Sequence, residues 1–376
     1  MSSRPITSKH YLSSLGVKTF RNIESLHLEL SPGINVLVGD NAQGKTNILE
    51  TIAMLCSLRP LQSLNNSDLI TQGHQQSSLF GLFKAEHDTA VEVEILPLGK
   101  KARINQKPVK SAARLHALLG MVSFIPSELN MIFGAATLRR RALDQAVMQI
   151  HFEHGQSLRA YEKLLASRNH LLKAYPIDHE QLHTYTSMLI QEAASIIFFR
   201  RATVKYLTEF FSECVDSIFG TFLHSHLQYE CPAAFVGEPS REEIANWLED
   251  TYARVRNEEL RRRVTLFGPH THDLLFIMEN LPAQKSCSRG QSRALVLAFK
   301  MAVMKVIGKF RQIAPIVLLD DIHSELDQEK KNNLLRVVGE LNCQAIFTCT
   351  EFTPSEGLLE AARRYHIKNG ACIEIY

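Results

Sequence analysis

Gly39-Asp40-Asn41-Ala42-Gln43-Gly44-Lys45-Thr46 fits the phosphate-loop spacing G-x-x-x-x-G-K-[ST], and its flanks decide the fold. Ile34-Asn35-Val36-Leu37-Val38 before it reads as a short buried strand. Asn47 to Leu55 after it carries the apolar spacing of a helix. A strand, a glycine-bearing turn and a helix in that order gather backbone N–H groups and the positive end of a helix around an anion. Lys45 then reaches the β- and γ-phosphates, and the Thr46 hydroxyl is placed to ligate Mg²⁺. The chain is expected to bind a nucleoside triphosphate.

With 376 residues there is room for two domains, or for one large domain carrying an insertion. Apolar residues make up 45% and charged residues 22%, the balance of an ordinary soluble protein. A net charge of +3 does not announce a nucleic-acid binder, so such a role must rest on local patches. The seven cysteines are scattered, with no C-x-x-C pair. That pattern points to reduced thiols in a cytoplasmic protein and away from structural zinc. Met1 to Lys9 is polar, so no signal peptide is expected, and no apolar run approaches the roughly 20 residues that span a bilayer.

The texture changes along the chain. From Tyr11 to about Lys110 short alternating runs predict strands, among them Leu79–Phe83 and Val91–Ile95, with a turn at Asn105-Gln106. From Leu138 to about Arg263 the spacing is helical, in segments 156–175, 181–218 and 241–263. Strands return at 274–278, 316–319, 345–349 and 372–376. The expected architecture is one discontinuous α/β head, residues 1–130 and 264–376, interrupted by a mainly helical insertion at 131–263. The helices are too short and their heptads too irregular to predict a long coiled coil.

A second half of the nucleotide site follows from Ile316-Val317-Leu318-Leu319-Asp320-Asp321, a buried-strand pattern ending in two carboxylates. Asp320 would hold the metal, directly or through water. Asp321 would orient or deprotonate an attacking water. An ordinary strand ending in a solvated acidic turn has the same local pattern, but here Ser324-Glu325-Leu326-Asp327 follows at once. Upstream, Cys287-Ser288-Arg289-Gly290-Gln291 opens an apolar helix.

A phosphate loop, then S-x-G-Q opening a helix, then hhhhDD with S-x-L-D, resembles the ATP-binding-cassette ATPases. The closer resemblance is to the RecF family of the SMC-like branch, and it covers nearly the whole chain. Phe20-Arg21-Asn22 resembles that family's FRN, and Asn41 to Glu50 resembles its NGQGKTNLLE. Phe124 to Leu129 with Gly134 and Arg139 to Asp144 is similar to FSPEDL…G…RRRFLD. Tyr161 with Arg168-Asn169 and Leu171-Leu172-Lys173 is similar to Y…RNxLLK, and Gly268 to Leu274 to GPHRDDL. Ser288 to Gln291 and Leu318 to Asp327 correspond to the family's signature and Walker B regions.

The resemblance implies an ABC-type P-loop ATPase head that closes as an ATP-dependent head-to-tail homodimer. In it Ser288, Gly290 and Gln291 would cap the γ-phosphate held by the opposite subunit, and Arg21 and Asp327 would also face nucleotide. It implies Mg²⁺-ATP as cofactor, with Thr46 and Asp320 on the metal and Lys45 and Asp321 in catalysis. It further implies recognition of gapped or duplex/single-strand junction DNA in recombinational repair and replication restart. Partners would be recombination mediators of the RecR/RecO type that help load the recombinase, with no membrane. Hydrolysis would be weak, DNA-dependent and would time dimer release.

Several positions depart from the family pattern. Thr271 and His272 replace an Arg and an Asp, and Ser127 stands in place of Glu. Phe347-Thr348-Cys349-Thr350 lacks a switch His, so that role is either absent or passed to Thr348 or Thr350. Phe124 to Glu128 has no Gln, leaving Glu128 as the candidate metal-sensing residue. His270-Thr271-His272-Asp273 has the look of a metal motif, but no distant acid or His cluster completes it, which favours a structural role. The basic clusters, Arg139 to Arg141, Arg200-Arg201, Arg261 to Arg263 and others, read first as solvated faces or ion-pair partners. Three rivals to the main reading are carried forward. The first, a transporter subunit, has its phosphate loop and signature much closer together. The second, an SMC-like nuclease or anti-phage ATPase, needs a further domain. The third is a non-hydrolysing binder, since Asp321 stands where many relatives have Glu.

Overall fold

A computed structural model describes residues 10–62, 65–109, 112–233, 235, 237–321, 328–351 and 361–375. The chain divides into two units, Met1–Asn130 with Glu213–Phe222 and Ser288–Tyr376, and Met131–Ser212 with Leu223–Cys287. In chain order the first stretch supplies β1 (Tyr11–Phe20), β2 (Ile23–Glu29), β3 (Ile34–Val38), α1 (Lys45–Ser57), β4 (Ser77–Lys84), β5 (Thr89–Leu96), β6 (Gly99–Ile104), β7 (Lys107–Val109), α2 (Ala112–Leu118) and β8 (Met121–Phe124). The middle supplies α3 (Ala136–Met148), α4 (His154–Lys173), α5 (His179–Phe219), β9 (Ser225–Glu230), α6 (Arg241–Arg262), β10 (Asp273–Met278), β11 (Leu281–Pro282) and α7 (Ala283–Ser286). The return supplies α8 (Arg289–Arg311), β12 (Ile316–Leu319), α9 (Gln328–Glu340), β13 (Ala345–Cys349), β14 (Arg363–Lys368) and β15 (Ala371–Ile375).

Two sheets build the first unit. One is antiparallel in the order β2-β1-β4-β5-β6-β7, and its Asn105-Gln106 turn has φ of 47° and 66°, as a two-residue hairpin of matching twist requires. The other runs β15-β14-β3-β13-β12-β8, parallel throughout except for β15 at the edge. Helix α1 packs against β1, β4, β5 and β13, so it meets both sheets. From Ile48 to Ser57 every residue is buried, the polar Glu50, Thr51 and Ser57 included. A helix buried on every side must be enclosed, and α1 is the centre of this core. Parallel pairing places β13 between β3 and β12, so the phosphate loop after β3 and the acids after β12 emerge at one end of the sheet.

The second unit packs Leu158 and Tyr161 of α4, Leu189 to Ile197 of α5 and Ile244 to Tyr252 of α6 into one apolar cluster. Helix α5 is 41 residues long, and its residues from Glu213 onward group with the first unit. Residues 264–287, assigned to the head in the sequence reading, group with the second unit, because β10 pairs with β9 along its length, from Asp273↔Glu230 to Met278↔Ser225. Strand β14 was not among the expected strands. Its sequence opens on two arginines, yet it pairs in parallel with β3 and buries Tyr365 and Ile367 completely.

Candidate nucleotide site

The phosphate loop is pinned from both flanks. A Cβ on Gly39 would fall 2.3 Å from the Ile367 carbonyl oxygen, so only glycine lets β14 approach there. Gly44, at φ 103°, is the N-cap of α1 and makes no side-chain cap, which leaves the first-turn N–H groups of α1 for an anion. The Asn369-Gly370 turn holds the loop through Gln43: Asn369 N–H donates to Gln43 Oε1 at 2.7 Å and Gly370 N–H to the Gln43 carbonyl at 2.8 Å. On the other side Asn22 Nδ2 donates to the Ala42 carbonyl at 3.4 Å, and Asn47 Nδ2 donates to Asn22 Oδ1 at 2.7 Å. Asp40, Asn41 and Ala42 are exposed, and Ala42 has φ 64°. The buried Lys45 folds back to donate to the Gly39 and Asp40 carbonyls at 2.6 and 2.7 Å.

Thr46 and Asp320, 274 positions apart, meet directly: Thr46 Oγ1 donates to Asp320 Oδ1 at 2.8 Å. Thr348 Oγ1 donates to the same oxygen at 2.9 Å and accepts the Asp321 N–H at 2.8 Å. Burial raises the Asp320 carboxyl above the usual range; the two hydroxyls pull it down and the neighbouring Asp321 adds to the rise. Divalent magnesium would find hard oxygen donors here, a buried carboxylate beside a hydroxyl, next to a loop built for phosphate. The donor set fits, because Mg²⁺ keeps waters and phosphate oxygens and needs only one or two protein ligands. Accordingly, no cluster of three or more His, Cys, Asp or Glu is needed, and none occurs among the described residues.

Arg21 sits beside the loop at φ 51°, but α1 engages it: Nη1 donates to Asn47 Oδ1 at 3.1 Å and Nη2 pairs with the buried Glu50 at 2.6 Å. Desolvation raises the Glu50 carboxyl, and Arg21 opposes that rise. Ser288 caps α8, with Gln291 N–H donating to Ser288 Oγ at 3.2 Å and Ser288 N–H to Gln291 Oε1 at 2.8 Å. Ser288 and Gly290 are exposed, and among the described residues no hydrogen bond joins Ser288 to Gln291 with the phosphate loop. Asp327, like His323 to Leu326, lies outside the described residues. Glu128 pairs with Lys300 of α8 at 2.9 Å.

The His motif and several basic clusters are occupied within the second unit. His270 Nδ1 bonds Tyr161 Oη at 2.5 Å, His272 Nδ1 bonds Tyr229 Oη at 2.7 Å, and Asp273 holds Arg139 through two bonds. Burial pushes His272 down to about 3. Arg200 grips Asp144 at 2.7 and 2.8 Å, and Arg168 pairs with Glu259 at 2.6 Å. Arg139, Arg168 and Arg200 are therefore polar members of the core. The sequence reading missed Asn22, Asn47, Glu50 and Asn369-Gly370 as loop supports. The glycine of Asn369-Gly370 was the visible cue for a tight turn.

The RecF/RecN/SMC N-terminal domain model matches residues 11–370. A curated "DNA replication and repair protein RecF" from Symbiobacterium thermophilum is 35% identical over 345 residues, covering 91% of this chain and 92% of that protein. A solved structure described as the recombination mediator protein RecF with ATP in the RecFOR pathway superposes with a TM-score of 0.88 at 26% identity, covering 98% of both chains. A Pyrococcus furiosus Smc head domain matches with a TM-score of 0.53 at 15% identity over 98% of this chain and 96% of that one, a likeness of fold alone.

Proposed function

The chain belongs to the RecF family of the RecF/RecN/SMC ATPases, and on that footing we propose that it is an ATP-dependent DNA-binding protein of recombinational repair and replication restart. The observation that carries this reading is the convergence of Thr46, Asp320 and Asp321 beside a preformed phosphate loop, in the same unit as an exposed, self-capped helix start at Ser288. Lys45 exchanges its two carbonyl partners for β- and γ-phosphate oxygens. Thr46 and Asp320 would hold Mg²⁺, which would supply positive charge against the phosphates. Asp321 orients the attacking water. Ser288, Gly290 and Gln291 offer a hydroxyl and helix N–H groups to the γ-phosphate of a second copy, which makes the nucleotide a dimerisation switch. Asp327 is assigned to the same interface.

The dimer recognises gapped or duplex/single-strand junction DNA and works with mediators of the RecR/RecO type to load the recombinase. Hydrolysis is weak, stimulated by DNA, and times release. Support comes from the RecF relatives named for DNA replication and repair and from the RecF–ATP structure. No described helix is long and apolar enough to cross a membrane. The test is DNA binding with and without ATP on duplex, single-stranded and gapped substrates across a salt series. The expected result is ATP-dependent binding that favours the gapped substrate and weakens with salt, because phosphate contacts release counterions. Binding indifferent to ATP on every substrate would contradict it.

A further inference from the structure

The strand order puts one side chain between the two halves of the site. Because β13 lies between β3 and β12, the residue one short of its C-terminal end lies between the strand that leads into the phosphate loop and the strand that ends in the acids. That residue is the buried Thr348. A hydroxyl carries one proton and two lone pairs, and this one uses both kinds: it donates to Asp320 Oδ1 at 2.9 Å and accepts Asp321 N–H at 2.8 Å. Asp321 lies at φ 46°, a left-handed conformation that residues with side chains enter at a cost and keep only where surroundings hold them. Its N–H bond to Thr348 is such a hold. Thr350, two residues on, is exposed.

Resting on the reading of Asp320 as metal ligand and Asp321 as water-orienting acid, we propose that Thr348 is the positioning residue that couples them. When Asp320 takes up metal-nucleotide, its demand on the Thr348 proton changes. The same hydroxyl then changes its hold on the Asp321 backbone. Metal occupancy is thereby passed to the acid that aligns water, through a neutral hydroxyl in a strand that has no histidine.

Thr348→Val keeps the shape and removes both bonds, whereas Thr348→Ser restores them. The measurements are kcat and KM for ATP, the Mg²⁺ concentration that half-saturates nucleotide binding, and fluorescent-ATP affinity in EDTA. The Val variant should lose at least about tenfold in kcat and need several-fold more Mg²⁺, with affinity in EDTA within about twofold of wild type. The Ser variant should stay within about threefold of wild type in all three. If the Val variant fails to fold, Thr348→Ala carries the same expectation. A Val or Ala variant with unchanged kcat and Mg²⁺ requirement, or a Ser variant as damaged as Val, overturns the coupling alone. A wild-type protein that binds no nucleotide overturns the site itself, and the coupling with it.

Discussion

A methyl group on Gly39 would press within 2.3 Å of the Ile367 carbonyl oxygen, where the phosphate loop lies close against β14. Backbone oxygen cannot swing aside as a side chain can, so Gly39→Ala must move the loop or the strand. The loop N–H groups then lose their convergence on phosphate. We expect ATP affinity to fall by at least about tenfold, or ~1.4 kcal/mol, in a fluorescent-nucleotide titration. Unchanged affinity would show that the loop tolerates the displacement. Lys45, Thr46 and Asp320 were legible because their chemistry demands fixed spacing. Thr348 was visible only as one of two substitutes for an absent histidine. Its bonds to Asp320 and Asp321 depend on strand order, which no local pattern encodes.

Helices α3 and α5 are joined by a buried ion pair rather than by apolar contact alone. Arg200 bonds Asp144 twice, donates to the Pro269 carbonyl at 2.7 Å and is 3% exposed, while His154 Nε2 meets Asp144 Oδ1 at 2.8 Å. Asp144→Asn would leave the Arg200 charge buried without its counterion, at a cost of about 3–5 kcal/mol, read as a lower urea midpoint. A midpoint within error of wild type would remove the pair from the account. Arg200 and His154 hold the Asp144 carboxyl down at about 2 against burial, below its ordinary value of 3.8. A depressed acid contributes stability that is complete above its unfolded value and lost as pH falls through its folded one. Stability should therefore decline between about pH 4 and pH 2 in wild type and less in Asp144→Asn. The helices themselves were legible from spacing, at 156–175 against α4 and 241–263 against α6. Strand β14 was not, since Arg363-Arg364 hides the alternation of Tyr365 and Ile367. The arginines at 139 and 200 looked like surface charge because a buried pair and a solvated one have the same sequence.

For the whole molecule, the site in one copy contains the phosphate loop and the acids Asp320 and Asp321, while Ser288 to Gly290 stand exposed at the start of α8. The family and the fold account for that arrangement if the second half of each nucleotide site comes from another copy. A ligand that binds the closed pair better than the separate chains shifts the population toward closure. Such a composite site would tie nucleotide binding to dimer formation. Light scattering of wild type and Ser288→Arg, with and without Mg²⁺-ATP, tests it most directly when paired with nucleotide titration of the dilute monomer. The account predicts that ATP dimerises wild type, that Ser288→Arg stays monomeric, and that its monomer binds ATP as wild type does. A Ser288→Arg protein that still dimerises with ATP, or one whose monomer no longer binds nucleotide, would contradict it.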